Sequence, residues 1–579
     1  MPPRRSARAA SAQPVLAVRP ASKSAASKAK SKSQVNGTSN KRAASPERAE
    51  SPPPAKRARS ETRKVEPAPK ARSKPPSRTA SKKALETSTK KAVKAKAKEL
   101  SPVREDEPAP AAAAPPPKPK PKPKPEPQQV QPYFNPLPTP PQSQSPGCLP
   151  FVWGAGNFGQ FGLGPDVLAE LQKPKRHIWF ENKMNEGALG EGEGAGIEYI
   201  AAGGLHTVFI DEKGTVWTCG TNDNAALGRV TDDVPDPENP GSFLSVDDLT
   251  AYPHPLQTLV DEGFRAVKAV AGDSICAAIS DKGEFRVWGT FRADEGLLGF
   301  SGDLKKEYHP ISILQLSNKP GDYEKVSSVA AGSNHLVVLT THGNIYTWGA
   351  GEQGQLGRKV LERRKIHGTH PEKVTLATRG RKAVVVGAGQ NHSFAVDHEG
   401  DVWAWGLNSM GQTGTGWSSE DDNIVLLPTK VEKLSKSKLQ GDVVIQIVGG
   451  AHHTIFLTQA GKVYACGRSN VGQLGLADDD AAFNDRESPD FIGEPTLVTF
   501  PDPFDEVIQI SSGTHNNAAI TRAGALYAWG QGVQSELGLG DEEEVKTPHV
   551  VVRKEGGAWF ARAVACGGQH TVGLFRKKN

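Results

Sequence analysis

The chain has 579 residues, more than one ordinary domain holds, and its charge is unevenly laid out. Residues 1–147 carry 32 Lys and Arg against 10 Asp and Glu, whereas residues 148–579 carry 39 against 54, so a basic arm precedes an acidic body. Five cysteines without a C-x-x-C pair and the absence of any apolar run of about 18 residues exclude a disulfide framework, a zinc ribbon and a membrane-spanning helix.

The start, Met1-Pro-Pro-Arg-Arg, lacks the apolar stretch of a secretory leader, so an intracellular, soluble chain is expected. Residues 1–147 are mostly Ala, Ser, Pro and Lys, with no aromatic residue before Tyr133. Such a segment buries too little apolar surface to offset its conformational entropy, and a disordered basic tail is expected over 1–147. Lys118 to Pro125 alternates Lys with Pro and reads as an extended spacer. Lys41 and Arg42, then Lys56, Arg57 and Arg59, form two clusters with the spacing of a bipartite nuclear import signal. The tail's charge predicts non-specific, salt-sensitive DNA binding, and the lack of interleaved aromatics argues against base reading. Ser45 and Ser101, each before Pro, fit proline-directed kinase sites.

From Cys148 onward the chain repeats itself. Thr347-Trp-Gly-Ala-Gly-Glu-Gln-Gly-Gln-Leu-Gly357 has relatives throughout, and aligning on the Trp-Gly or Cys-Gly step puts the glycine at 154, 220, 289, 349, 406, 467 and 530. A second element, Gly-x-x-His followed by an apolar strand and a glycine turn, precedes six of these steps. Strand, Gly turn and alternating strand read as a β-hairpin. Seven all-β units of this kind predict a seven-bladed β-propeller over 148–579, all-β, with no sustained helical period. The body opens on the second half of a unit and ends on the first half of one, so the two ends are expected to complete a single blade.

Two patterns invite other readings. Gly154 to Gly159 and Gly349 to Gly354 fit G-x-G-x-x-G, but neither opens a helix, so they read as turns rather than a dinucleotide site. There is no P-loop, so no bound nucleotide, other cofactor or metal is expected. A column of His206, Ile275, His335, His392, His453, Asn516 and His570 reads first as a repeated buried hydrogen-bonding position. Unit three departs twice: Ile275 replaces the column histidine, and Thr290-Phe-Arg-Ala-Asp-Glu295 replaces the glycine-rich turn. Such departures from an internal consensus mark candidate function.

From about Leu149 to Phe575, with Ala201-Ala-Gly-Gly-Leu-His-Thr-Val, Gly289-Thr-Phe-Arg and Gly351-Glu-Gln-Gly-Gln-Leu-Gly-Arg358, the chain resembles the regulator of chromosome condensation family, exchange factors for the Ran GTPase. The resemblance implies a propeller whose one face binds Ran, with Phe291, Arg292, Ala293 and Asp294 in a β-wedge. It implies catalytic roles for Asp273, His453 and His570, and partner binding by Arg358, His452, Asn157 and Asn334. The family commonly has Asp at the last two positions, where this chain keeps a hydrogen-bonding amide without the charge. It further implies a monomer with chromatin (DNA and histones) and a nuclear import receptor as partners and the nucleus as location. A non-catalytic chromatin-binding propeller is the alternative. A light sensor like the plant ultraviolet-B photoreceptor would need Gly-Trp-Arg-His-Thr repeats, and none occur.

Overall fold

The computed structural model describes residues 133–142, 146–190, 192, 194–294, 296–300, 304–484 and 488–578. Its strands form seven four-stranded antiparallel meanders, as the repeat count predicts. Six are continuous in chain: 197–255, 266–311, 326–374, 383–430, 444–498 and 507–552, here blades two to seven. Blades five and six touch at one parallel bridge between their innermost strands, Ala388 to Val448. Blade one is composite. Leu149–Gly154 pairs antiparallel with His570–Lys577, from Leu149 opposite Phe575 to Gly154 opposite His570, so the two ends of the body share one sheet and leave no open edge between them.

In blades two to seven the second strand is sandwiched between neighbouring blades and is buried throughout, as in His335–Thr340. That is why its middle reads as a continuous run of apolar and small residues rather than an alternation. The turns that follow hold Gly214, Gly283, Gly343, Gly400, Gly461 and Gly524 at φ between +70° and +86°, where any side chain is strained.

The two sequence motifs meet across the ladder. His206 lies opposite Gly220, Ile275 opposite Gly289, His335 opposite Gly349, His392 opposite Gly406, His453 opposite Gly467 and Asn516 opposite Gly530. The Trp of the Trp-Gly step is a contact between blades. Trp405 Nε1 donates to the Gln355 carbonyl of blade four at 2.9 Å, and Trp288 Nε1 to that of Ala226 in blade two at 2.9 Å. The glycine-rich turn of one blade is thus the socket for the next blade's indole, a buried surface worth about 3–5 kcal/mol per Trp.

The ring's contacts begin upstream of the boundary expected at Gly147. The amides of Phe134 and Asn135 donate to the Thr341 carbonyl at 2.7 and 3.0 Å, and the Asn135 side chain donates to the carbonyls of Thr340 and Ala383 at 3.0 Å each. Residues 133–135 are therefore part of the folded body, against the expectation of a tail to 147. The import clusters, Ser45, Ser101 and the Lys-Pro run lie outside the described residues.

Candidate partner-binding face

In each blade the turn between the first two strands and the end of the third strand lie at the same end of the ring, because the column residue pairs with the Trp-Gly glycine. Candidate residues that the sequence scatters from Asn157 to His570 are therefore brought to one face. At its centre the first turns are laced from blade to blade by backbone hydrogen bonds: Gly204 N to Gly272 O (3.0 Å), Asp273 N to Ser333 O (2.9 Å), Gln390 N to Gly450 O (3.0 Å) and Gly568 N to Gly203 O (3.0 Å). Gln390 Nε2 also reaches Thr514 Oγ1 at 3.3 Å. What remains is a shallow mouth of ≈ 90 Å³ over a channel of ≈ 290 Å³.

Among the described residues lining that mouth, Asp273 is the only charged side chain. Crowding raises its carboxyl pKa, and the nearby Arg292 guanidinium partly opposes the shift. An exposed carboxylate that is short of solvation is free to pair with an incoming cation.

Beside it stands the departure of unit three. Phe291–Ala293 pairs with Gly296–Gly299 as a two-stranded hairpin, the expected wedge. Arg292 and Asp294 are exposed and Ala293 is half-buried. Phe291, expected in the wedge on the Ran-binding face, is fully buried, with its ring 5.2 Å from that of Phe300. It anchors the hairpin from inside. Asn334 of blade four accepts a hydrogen bond from the Arg292 amide at 3.0 Å, so a neighbouring blade steadies the wedge.

His453 and His570 are placed differently from the catalytic reading. Both are 0 % exposed. His453 Nε2 is 2.8 Å from Asn517 Oδ1, and His570 Nε2 is 2.8 Å from Thr207 Oγ1, each on the next blade. His335 reaches Ser393 at 2.8 Å and His392 reaches Thr454 at 2.7 Å in the same way. Each partner in turn donates to the glycine-rich turn the histidine belongs to: Thr454 Oγ1 to Gln412 O at 2.7 Å, Ser393 Oγ to Gln355 O at 2.8 Å, Asn517 Nδ2 to Gln473 O at 2.8 Å. The hydroxyls are spent as donors, so the histidines donate from Nε2. Burial pushes the His453 pKa down to about 4 and that of His570 to about 3, leaving both neutral. The motif's glycine is explained as well, because a Cβ at Gly389 would lie 2.1 Å from His392 Cε1. These histidines join blades.

Arg358 is a second correction. Its guanidinium donates to the carbonyls of Gly368 at 3.2 Å and His370 at 3.0 Å and pairs with Glu372 at 3.3 Å, clamping the blade-four rim segment. Arg229 does the same in blade two, donating to Thr218 O at 3.1 Å and Leu249 O at 2.7 Å. The shared Leu-Gly-Arg at 227–229 and 356–358 was the available signal. Asn157 is exposed on the blade-one turn and His452 is half-buried in blade six. Beside His452 is a residue the motifs did not single out, His515 of blade seven. Both have pKa values lowered by burial and then by Arg468.

The only acidic trio among the described residues that could share a cation, Asp397, Glu399 and Asp401, already surrounds Arg381.

Residues 150–573 match the family model described as RCC1-like domain. The regulator of chromosome condensation of Xenopus laevis is 32% identical over 458 residues, covering 77% of this chain and 93% of its own. Guanine nucleotide exchange factor SRM1 of Saccharomyces cerevisiae is 32% identical over 442 residues, 73% of this chain and 86% of its own. Among solved structures, Prp20p of Saccharomyces cerevisiae, described with its binding to Gsp1p and histones, superposes with a TM-score of 0.64 at 28% identity, covering 75% of this chain and 93% of its own. It has also been solved bound to Kap60.

Proposed function

The chain belongs to the family of RCC1-like domains, and on that premise we propose that it is a guanine-nucleotide exchange factor for the Ran GTPase, working in the nucleus on chromatin. The relatives named as exchange factor and as regulator of chromosome condensation support this over a scaffold without activity. The observation that carries it is local: the one blade that abandons the glycine-rich turn puts a hairpin there, next to Asp273, the only charged side chain among the described residues lining the mouth.

An exchange factor of this kind makes and breaks no covalent bond. It binds the nucleotide-free GTPase more tightly than the loaded form, and by linkage that difference weakens nucleotide affinity by the same factor. Asp273 supplies a poorly solvated carboxylate for a cation of the partner, and the wedge, anchored by Phe291 and held by Asn334, supplies a stiff protrusion. The basic tail, with its two import clusters, would engage an import receptor and DNA phosphates, a role for which Prp20p's binding to Kap60 and histones is the support.

Release of labelled GDP from Ran tests the reading. Asp273→Ala is expected to slow catalysed release about tenfold, the loss of roughly 1.4 kcal/mol in the bound intermediate, while the melting temperature stays that of the parent. Full activity in Asp273→Ala would remove Asp273 from the mechanism. A parent chain that releases no GDP would remove the function itself.

A further inference from the structure

The rim of the partner-binding face is acidic in all sectors but two. The connections leaving this end of blades one, two, five, six and seven (155–170, 221–253, 408–423, 469–490 and 532–543) hold 2, 7, 3, 6 and 4 acidic residues against 0, 1, 0, 1 and 0 basic ones. The blade-three connection, 290–306, balances at 3 each. The blade-four connection, 350–371, reverses the sign with 5 basic residues against 2 acidic.

That reversed segment is built to be presented. Arg358 pins its far end through Gly368 and His370, and the buried Thr369 hydroxyl donates to Ile366 O at 2.8 Å, so the 3-10 turns of Glu362–Thr369 are held from inside. The segment packs against the wedge strand Gly296–Gly299. Lys359, Arg363 and Arg364 are exposed, and their charges have no partner among the described residues.

We propose that Lys359, Arg363 and Arg364 form a docking surface for an acidic segment of the GTPase that occupies the mouth, and that this patch sets the partner's rotation over the ring. The inference rests on the exchange-factor reading above. A surface acidic nearly all round selects a basic partner face, which a propeller with seven similar sectors could accept in several orientations. One basic sector next to the wedge breaks that near-symmetry, since like charges brought together on a rim oppose the wrong registers. Duplex DNA fits less well, because a rod of phosphates long enough to engage three cations here would also run over the acidic rim of its neighbours.

The experiment measures association with Ran and catalysed GDP release for the full chain and for the Lys359→Glu, Arg363→Glu, Arg364→Glu triple variant. At about 50 mM salt the variant's association rate is expected to fall at least tenfold, and at about 500 mM the two converge, as screening of exposed charges requires. KM rises and kcat is kept. If reversal impairs folding, the Gln triple is expected to fall part of the way. Unchanged association at low salt overturns the proposal, as does a loss equal at both salts. Normal Ran association with lost DNA binding would assign the patch to phosphates instead. A parent that fails to act on Ran would refute the exchange reading itself, an outcome distinct from these.

Discussion

Blades three and five share one plan and differ at three coupled positions. In blade five, His392 meets Thr454 of blade six, and Thr454 donates to the Gln412 carbonyl in blade five's own glycine-rich turn. In blade three the corresponding three are Ile275, Leu336 of blade four, and no glycine-rich turn at all. Ile275 and Leu336 are both 0 % exposed and lie in one apolar cluster with Val338 and Trp348. The histidine tie has been removed, the Trp348 indole N–H is left without the turn carbonyl that its counterparts Trp288 and Trp405 reach, and a hairpin stands where that turn would be. In this blade an apolar seam and a protruding hairpin occur together, which couples the departure at Ile275 with the one at Phe291.

If the hub is as described, acid should break it first. His206, His335, His392, His453 and His570 are all buried, and burial holds their pKa values at about 3 to 4. In the unfolded chain they return to about 6.5, so protons bind the unfolded state first, and stability is complete above that pH and lost below it. Each contributes roughly 1.4 kcal/mol per pH unit, which for five residues is enough to unfold a domain well before pH 4. Melting temperatures taken from pH 7.5 down to 4.5 are expected to fall steeply below about 6.5. A flat profile between pH 7 and 5 would mean that the folded hub tolerates charge.

Substitution across the two seams sharpens the contrast. His392→Ala leaves a cavity and an unmatched Thr454, and is expected to cost about 2–4 kcal/mol. Ile275→His restores the repeat consensus yet finds no acceptor on Leu336, and is expected to cost about 1–3 kcal/mol instead of stabilising. Urea unfolding measures both. An Ile275→His variant as stable as the parent would refute the coupling of the three positions.

The fold was legible because the two motifs recur fourteen residues apart in six blades, and the structure explains why: the column residue and the step glycine face each other across the ladder. The wedge was legible as an absence, the missing turn after Gly289. Phe291 and Arg358 were not, because a Phe in a rim loop has the same local sequence whether it anchors or protrudes, and an Arg after a turn does not reveal that the carbonyls of Gly368 and His370 close round it. The histidines divide the same way: the repeat marked all of them as structural, and only the family resemblance set His453 and His570 apart, against their burial. Residues 133–135 were hidden by their tail-like surroundings, although Tyr133 and Phe134 were the first aromatics in the chain.

The smallest expected effect concerns Asn334, which precedes the column residue of blade four and holds the wedge of blade three. Its Oδ1 accepts from the Arg292 amide, a bond with a net worth of about 0.5–1.5 kcal/mol. Asn334→Ala is therefore expected to shift global stability little and to slow catalysed GDP release about three- to tenfold, because the wedge is left with one anchor, Phe291. Asn334→Asp keeps an acceptor at the same place and adds a negative charge near Arg292, so release should return to the parent rate. If Asp behaves like Ala, the amide of Asn334 acts through a contact with the partner rather than through the wedge, and the neighbouring-blade support assigned to it is wrong.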